Sequence, residues 1–224
     1  MNFADKKELV RKAMLLYAIT DRAWEGRMTL EEQVREALEG GITLLQLREK
    51  NMDDDSFLRE ALRMKELSHQ YHVPFIINDN VEVAIAADAD GVHVGQKDME
   101  AGKVREKLGK DKIIGVSVRN VEQALLAEEN GADYLGVGAV FSTSTKEDAD
   151  VISMETLKAI CRAVSIPVVA IGGIHESNLM ELKGSGVDGV SIISGIFSKP
   201  DIRQTCVRLR ELSEEMIKDE SCYI

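Results

Sequence analysis

LLYAITDRAW, from Leu15 to Trp24, is the stretch on which the fold turns. Leu15 to Thr20 has the length and apolar character of a buried strand. Asp21-Arg22-Ala23-Trp24 follows it, where a dinucleotide-binding sheet would carry a glycine-rich turn that sets a helix N-terminus against a pyrophosphate. No acidic residue ends the second strand in the ribose-binding context either. An open Rossmann-like sheet is therefore the weaker reading of what comes after.

Working outward, similar runs recur at Thr43 to Arg48, Pro74 to Asp79, Gly91 to Gly95, Ile113 to Val118, Asp133 to Val140, Pro167 to Gly173 and Asp188 to Ile193, making eight strands with the first. Segments with apolar residues every three or four positions lie between them, such as Leu30, Val34, Ala37 and Leu38, and predict crossover helices. Gly40-Gly41, Gly131 and Gly186 stand where a left-handed helix C-cap is wanted. Eight strand and helix units in 224 residues favour the α/β class and a closed (β/α)8 TIM barrel over an open sheet. No Pro- or Ser-rich stretch divides the chain, so residues 1–224 read as one barrel domain. Residues 1–12 form a short amphipathic capping helix on this reading, and the charged segment after Asp201 the last barrel helix with a frayed tail.

A net charge of -11 opposes broad attraction to nucleic acid or an anionic membrane. No apolar run approaches the roughly 18 residues of a membrane span, and the N-terminus lacks the apolar core of a secretory signal. Cys161, Cys206 and Cys222 show neither disulfide nor metal-ligand spacing, which suits reduced thiols and a cytoplasmic location.

Barrel active sites gather where strands end. In TLLQLREK, Thr43 to Lys50, the side chains of Gln46, Arg48 and Lys50 share one face and Leu45 and Leu47 the other. Helices cover the outer face, so the leucines belong there and the polar trio points inward; a buried Arg48 needs an anionic partner, which a substrate can supply. Glu49 has the opposite parity and suits a structural ion pair. The third strand ends in Asn78-Asp79 and the fourth is followed by Asp98, so two carboxylates from neighbouring strands could face one hard cation such as Mg2+. On spacing alone Asp98 serves equally well as a cap for the helix after it. Ser117 closes the fifth strand without the surroundings of a nucleophile, and Asn120 can cap the next helix. Thr143-Ser144-Thr145-Lys146 packs hydroxyls and a cation into one loop; it is either a plain loop or a phosphate cradle. Gly172-Gly173 after the seventh strand and Ile193-Ser194-Gly195 after the eighth fit the recurrent phosphate site of such barrels, or a tight turn alone. His93, alternating with Val92 and Val94, reads as packed rather than catalytic, and Trp24 covers either a ligand or the rim.

Taken in order, QLREK (Gln46 to Lys50), IIND (Ile76 to Asp79), ADGVHVGQKD (Ala89 to Asp98), GVSV (Gly115 to Val118), DYLGVGAVFSTSTK (Asp133 to Lys146) and AIGGI (Ala170 to Ile174) resemble the thiamine-phosphate synthase family. The motifs fall in six of the eight units, the second to the seventh. It implies a transferase of thiamine biosynthesis that joins hydroxymethylpyrimidine pyrophosphate to hydroxyethylthiazole phosphate and releases pyrophosphate, using one Mg2+. Gln46, Leu47, Arg48, Glu49, Lys50, Asn78 and Lys146 would then form the pyrimidine pyrophosphate site. Asp79 and Asp98 would ligate the metal and Ser117 would lie near the pyrophosphate. Thr143, Ser144, Thr145, Gly173, Ile193 and Ser194 would hold the thiazole phosphate, and Lys50, Ser117 and Lys146 would act in catalysis. Ala139 and Ser142 depart from the pattern, where the family often carries prolines. The implied partners are small molecules, with no nucleic acid or membrane. The rival readings are a thiazole-phosphate aromatising isomerase of the same fold, which has no use for Asp79 and Asp98, and a non-catalytic phosphate-binding regulator.

Overall fold

A computed structural model describes residues 3–26, 28–143 and 151–218. Eight parallel strands close into a barrel in chain order: β1 Leu16–Ile19, β2 Leu44–Leu47, β3 Phe75–Asn78, β4 Gly91–Val94, β5 Ile113–Val118, β6 Tyr134–Gly138, β7 Val168–Ile171 and β8 Gly189–Ile192. β8 returns to β1, with Tyr17 opposite Ser191. Helices α1 Phe3–Ala13, α2 Leu30–Glu39, α3 Asp54–Gln70, α4 Val81–Ala86, α5 Ala101–Leu108, α6 Val121–Glu129, α7 Met154–Ala163, α8 Ser194–Phe197 and α9 Ile202–Met216 accompany them. Between β7 and β8 the expected crossover helix is only a 3-10 segment, Leu179–Leu182, in a stretch that ends in Gly184 and Gly186, both at positive φ.

Strand parity sorts the apolar residues into two bodies. Leu45, Leu47, Phe75, Ile77, Val92 and Val94 pack outward against the helices. Tyr17, Ile19, Leu44, Ile76, Ile113, Tyr134 and Val169 fill the lumen, closed from below by Val10, Ala13 and Met14 at the end of α1. That helix is pinned by Lys6, whose Nζ donates to the Lys110 and Lys112 carbonyls and pairs with Asp133 at 2.8 Å.

One device fastens the lower rim four times. The residue before each even strand accepts a hydrogen bond from the first amides of the preceding odd strand: Thr43 Oγ1 from Leu16, Asp90 Oδ2 from Phe75, Asp133 Oδ2 from Ile114 and Asp188 Oδ2 from Val168, all between 2.7 and 2.8 Å. Each strand pair thus starts with a short polar side chain satisfying an amide that would otherwise be buried unpaired.

Gly41, Gly131 and Gly186 take positive φ as expected, but Gly40 does not. It lies at φ -77, and a Cβ there would stand 2.5 Å from Cys206 Cβ and 2.6 Å from the Arg203 carbonyl. Its requirement is close packing of α2 against α9, not a left-handed cap.

Candidate active site at the barrel mouth

The inward parity of β2 leads to the upper mouth. Gln46 is buried in the lumen, and its Nε2 donates to the Tyr17 hydroxyl at 2.5 Å. Arg48, one turn of the pleat higher, is nearly buried, and its Nη1 donates to Asp21 Oδ2 at 3.0 Å. A protein carboxylate therefore already supplies the partner that was expected from a substrate. Lys50 is exposed. Arg48 and Lys50 line a groove of about 610 Å³ between the loops after β1 and β2, together with Asp21, Asp53 and Ser56. The volume suits a small-molecule site.

Leu47 and Glu49 turn their side chains away from this mouth. Leu47 is fully buried in the barrel–helix layer. Glu49 accepts both of its contacts from Arg22 Nε, at 2.8 and 2.9 Å, which is the structural ion pair that its parity predicts. Glu49 nonetheless lines the same groove, whereas the Leu47 side chain is closed to a ligand. Arg22 belongs to the 3-10 turn Arg22–Trp24, and its guanidinium is held well above its ordinary pKa, chiefly by hydrogen bonding to Glu49. Trp24 projects half-exposed from the same turn, while its carbonyl accepts from Gln33 Nε2.

β3 and β4 bring the acidic groups. The Asn78 side chain shares the lumen parity of Ile76, and its Nδ2 donates to Asp79 Oδ2 at 2.6 Å. Asp79 is exposed and adopts φ 63, a left-handed conformation that Asp tolerates better than most residues. Its amide donates to the His93 carbonyl, tying the end of β3 to β4. Asp98 is exposed, and its Oδ2 accepts from the Gly95 amide at 2.7 Å. It does not cap the next helix: α5 begins at Ala101 behind Glu100, which makes no side-chain cap. Each carboxylate is thus oriented by a neighbouring N–H donor, the arrangement seen around carboxylates that ligate metals. Among the described residues no group of three or more His, Cys, Asp and Glu side chains could hold a metal. Asp79 and Asp98 are oxygen donors that could take part in holding a hard divalent cation, with waters and phosphate oxygens supplying its other ligands.

Across the mouth, Ser117 is half-buried at the end of β5, and Gln96 Nε2 donates to its carbonyl at 2.8 Å. Asn120 caps α6 as expected, accepting from the Gln123 amide. On the far side Gly172 and Gly173 take φ 102 and 65. A Cβ on Gly173 would meet the Ser142 carbonyl at 2.3 Å and one on Gly172 would meet Ala139 Cβ at 2.6 Å, so the glycines let the loops after β6 and β7 lie against each other. Thr143 is half-buried at the edge of the loop; Ser144, Thr145 and Lys146 lie outside the described residues. Ile193 packs against the lumen cluster, and Ser194 opens α8 beside it. A Cβ on Gly195 would come within 2.4 Å of the Ile174 carbonyl, which locks that turn to the loop after β7.

Sequence reasoning missed the polar floor of the lumen. Tyr17, Tyr134 and His93 are hydrogen-bonded to one another beneath the mouth, with Gln46 at one end and Ser117 at the other. Ser191 Oγ, also buried there, has no hydrogen-bond partner among the described residues. The available signal was parity: Tyr17, His93, Ser117 and Tyr134 all fall on the inward side of their strands.

Residues 16–196, most of the chain, match the family described as thiamine monophosphate synthase. The chain belongs to the thiamine monophosphate synthase family. Similar proteins named thiamine-phosphate synthase occur in Ruminiclostridium cellulolyticum, 50% identical over 88% of this chain and 94% of that one, and in Clostridium acetobutylicum, 53% identical over 84% and 89%. A solved thiamine phosphate pyrophosphorylase from Pyrococcus furiosus superimposes with a TM-score of 0.86 at 42% identity, covering 93% of this chain and all of that one. Membership of this transferase family agrees with a mouth that holds charge-binding groups such as Arg48 and Lys50. Among the described residues no helix is long and apolar enough to cross a membrane.

Proposed function

We propose that the chain condenses hydroxymethylpyrimidine pyrophosphate with hydroxyethylthiazole phosphate to give thiamine phosphate and pyrophosphate, with Mg2+ as its metal, in the cytoplasm. The observation that carries this reading is the joint presence at one mouth of a groove lined by Arg48 and Lys50 and of two oriented carboxylates, Asp79 and Asp98, following adjacent strands. A phosphate-binding barrel that only isomerised or sensed its ligand would have no use for the second pair.

The bond between the pyrimidine methylene carbon and the pyrophosphate oxygen breaks with its electron pair leaving on pyrophosphate. The thiazole nitrogen lone pair then forms the new carbon–nitrogen bond. Arg48 spends one of its five N–H donors on Asp21 and brings the others to the diphosphate. Lys50 adds a mobile positive charge, and Lys146 a second from the loop after β6. Asp79 and Asp98 would hold Mg2+, which supplies charge neutralisation to a leaving diphosphate. Gln46 and Asn78 meet the pyrimidine half, and Ser117 donates near the diphosphate. Thr143, Ser144, Thr145, Gly173, Ile193 and Ser194 receive the thiazole phosphate. No group has to attack carbon; losing one such electrostatic contact costs about 3 kcal/mol in the barrier.

The test is direct: both substrates and Mg2+ are mixed with the protein, and thiamine phosphate and pyrophosphate are followed with each component omitted in turn. Equal amounts of the two products, formed only when all components are present, are expected. Isomerisation of a thiazole phosphate alone, or binding without turnover, would reject the reading.

A further inference from the structure

Four hydrogen bonds cross the lumen in series. Gln46 Nε2 contacts Tyr17 OH at 2.5 Å, Tyr17 OH contacts Tyr134 OH at 3.1 Å, Tyr134 OH contacts His93 Nδ1 at 2.8 Å, and His93 Nε2 contacts Ser117 Oγ at 2.8 Å. They join β2, β1, β6, β4 and β5 through residues whose sequence positions span 17 to 134 and that no local pattern relates. We propose that Tyr134 and His93 are positioning residues: this chain runs in one direction, from Gln46 to Ser117, and fixes the Ser117 hydroxyl as a hydrogen-bond donor toward the barrel mouth.

The direction follows from counting hydrogens. The Gln46 amide can only donate through Nε2, so the Tyr17 oxygen accepts there. Tyr17 has one hydrogen of its own. If it points at Tyr134, then Tyr134 donates to His93 Nδ1, His93 carries its hydrogen on Nε2 and donates to Ser117 Oγ, and the Ser117 hydrogen is left over for whatever sits in the mouth. If the chain runs the other way, Ser117 donates inward and the unspent hydrogen is that of Tyr17. Tyr17 is 1% exposed, and Ser191 on the adjoining strand makes no hydrogen bond with it. A buried donor without an acceptor costs about 1–3 kcal/mol, whereas the half-buried Ser117 can turn its hydrogen toward water or ligand. Burial also pushes both phenols above their ordinary pKa, so each keeps the hydrogen that the chain requires.

The barrel makes room for these rings at specific glycines. A Cβ at Gly115 would stand 2.1 Å from Tyr134 Cζ, and one at Gly136 would stand 3.0 Å from His93 Cε1. Tyr134 therefore lies over β5, edge to face with Tyr17 at a centroid separation of 6.0 Å, and His93 lies over β6, tilted against Tyr134 at 5.5 Å. The inference rests on the reading of Ser117 and Gln46 as substrate contacts, and extends it: the two ends of the substrate site are coupled through residues that touch no substrate.

The experiment reads the His93 tautomer by 15N NMR on the full chain labelled at histidine, with His93→Gln identifying its signals among the four histidines. A ring with hydrogen on Nε2 and a bare Nδ1 is expected. Hydrogen on Nδ1 in the parent protein would overturn the proposal, even if no variant folds. In Tyr134→Phe the tautomer should mix and kcat should fall on the order of tenfold, the loss of about one buried hydrogen bond, with KM for either substrate within about twofold. In Tyr17→Phe the Tyr134 hydrogen still has His93 as its acceptor, so the Nε2–H tautomer should persist. An unchanged tautomer or unchanged kcat in Tyr134→Phe would also overturn it. Because the tautomer is read without turnover, a parent protein lacking synthase activity would reject the proposed function and leave this test standing.

Discussion

Replacing Gly115 with alanine attacks the lumen where Tyr134 crosses β5. The added Cβ would lie 2.1 Å from Tyr134 Cζ, 2.3 Å from its hydroxyl and 2.4 Å from Cε1. Neither partner can yield cheaply. Gly115 is fixed in β5 between His93 on β4 and Tyr134 on β6, while Tyr134 is fully buried and bonded through its hydroxyl to Tyr17 and His93. Overpacking of this kind costs about 1–3 kcal/mol, and moving the phenol breaks two buried hydrogen bonds at about 1–3 kcal/mol each. Against that, alanine gains roughly 0.4–1 kcal/mol by restricting the unfolded chain. The net expectation is a loss of about 2–9 kcal/mol, a large share of the ~5–15 kcal/mol typical of a domain. Gly136→Ala meets only the edge of the His93 ring, at 3.0 Å, and should cost about 1 kcal/mol. Urea unfolding followed by circular dichroism compares the two. A Gly115→Ala variant within about 1 kcal/mol of the parent, or one more stable than Gly136→Ala, would refute the packing argument.

Other expectations are smaller. Asp98→Asn should raise the Mg2+ concentration needed for half-maximal turnover by on the order of tenfold while leaving the melting temperature unchanged, since Asp98 is exposed and an asparagine oxygen can still accept from the Gly95 amide; an unaltered Mg2+ titration would remove Asp98 from the metal site. Lys6→Met should destabilise the protein by about 1–3 kcal/mol, because three contacts are lost while Asp133 keeps Arg105 at 2.6 Å; denaturant midpoints measure it. Lys112 and Lys65 hold the Asp88 carboxyl down at about 2, below its ordinary 3.8, so its contribution is present above pH 4 and lost as pH falls toward 2. Asp88→Asn should flatten the stability profile in that window only, and a parallel offset between the two profiles at all pH values would contradict this origin.

How far the sequence carried this account can be judged at single residues. The two faces of TLLQLREK were legible because a strand has a period of two and helices cover the outside of a barrel; Gln46 and Arg48 point in, Leu47 points out and Glu49 finds Arg22. The left-handed glycines at Gly41, Gly131 and Gly186 were legible because helix ends have a local signature, and Gly40 was misread because its constraint comes from α9, far along the chain. Asp21 as partner to Arg48 is 27 residues distant, and nothing in the spacing marks it. His93 was rightly placed among packed residues, yet its two ring nitrogens are engaged by groups 24 and 41 residues away, a relation that exists only once β4, β5 and β6 are side by side. Local chemistry shows on the sequence; pairing across staves appears only when the barrel closes.

The most direct test of the whole reading is a crystal grown with Mn2+ in place of Mg2+ and with pyrophosphate. Anomalous scattering should place one ion above β3 and β4, bound by Asp79 and Asp98 directly at about 2.1 Å or through one water each, with the diphosphate reaching toward Arg48 and Lys50. An ion that neither carboxylate contacts, or pyrophosphate seated away from that mouth, would contradict it.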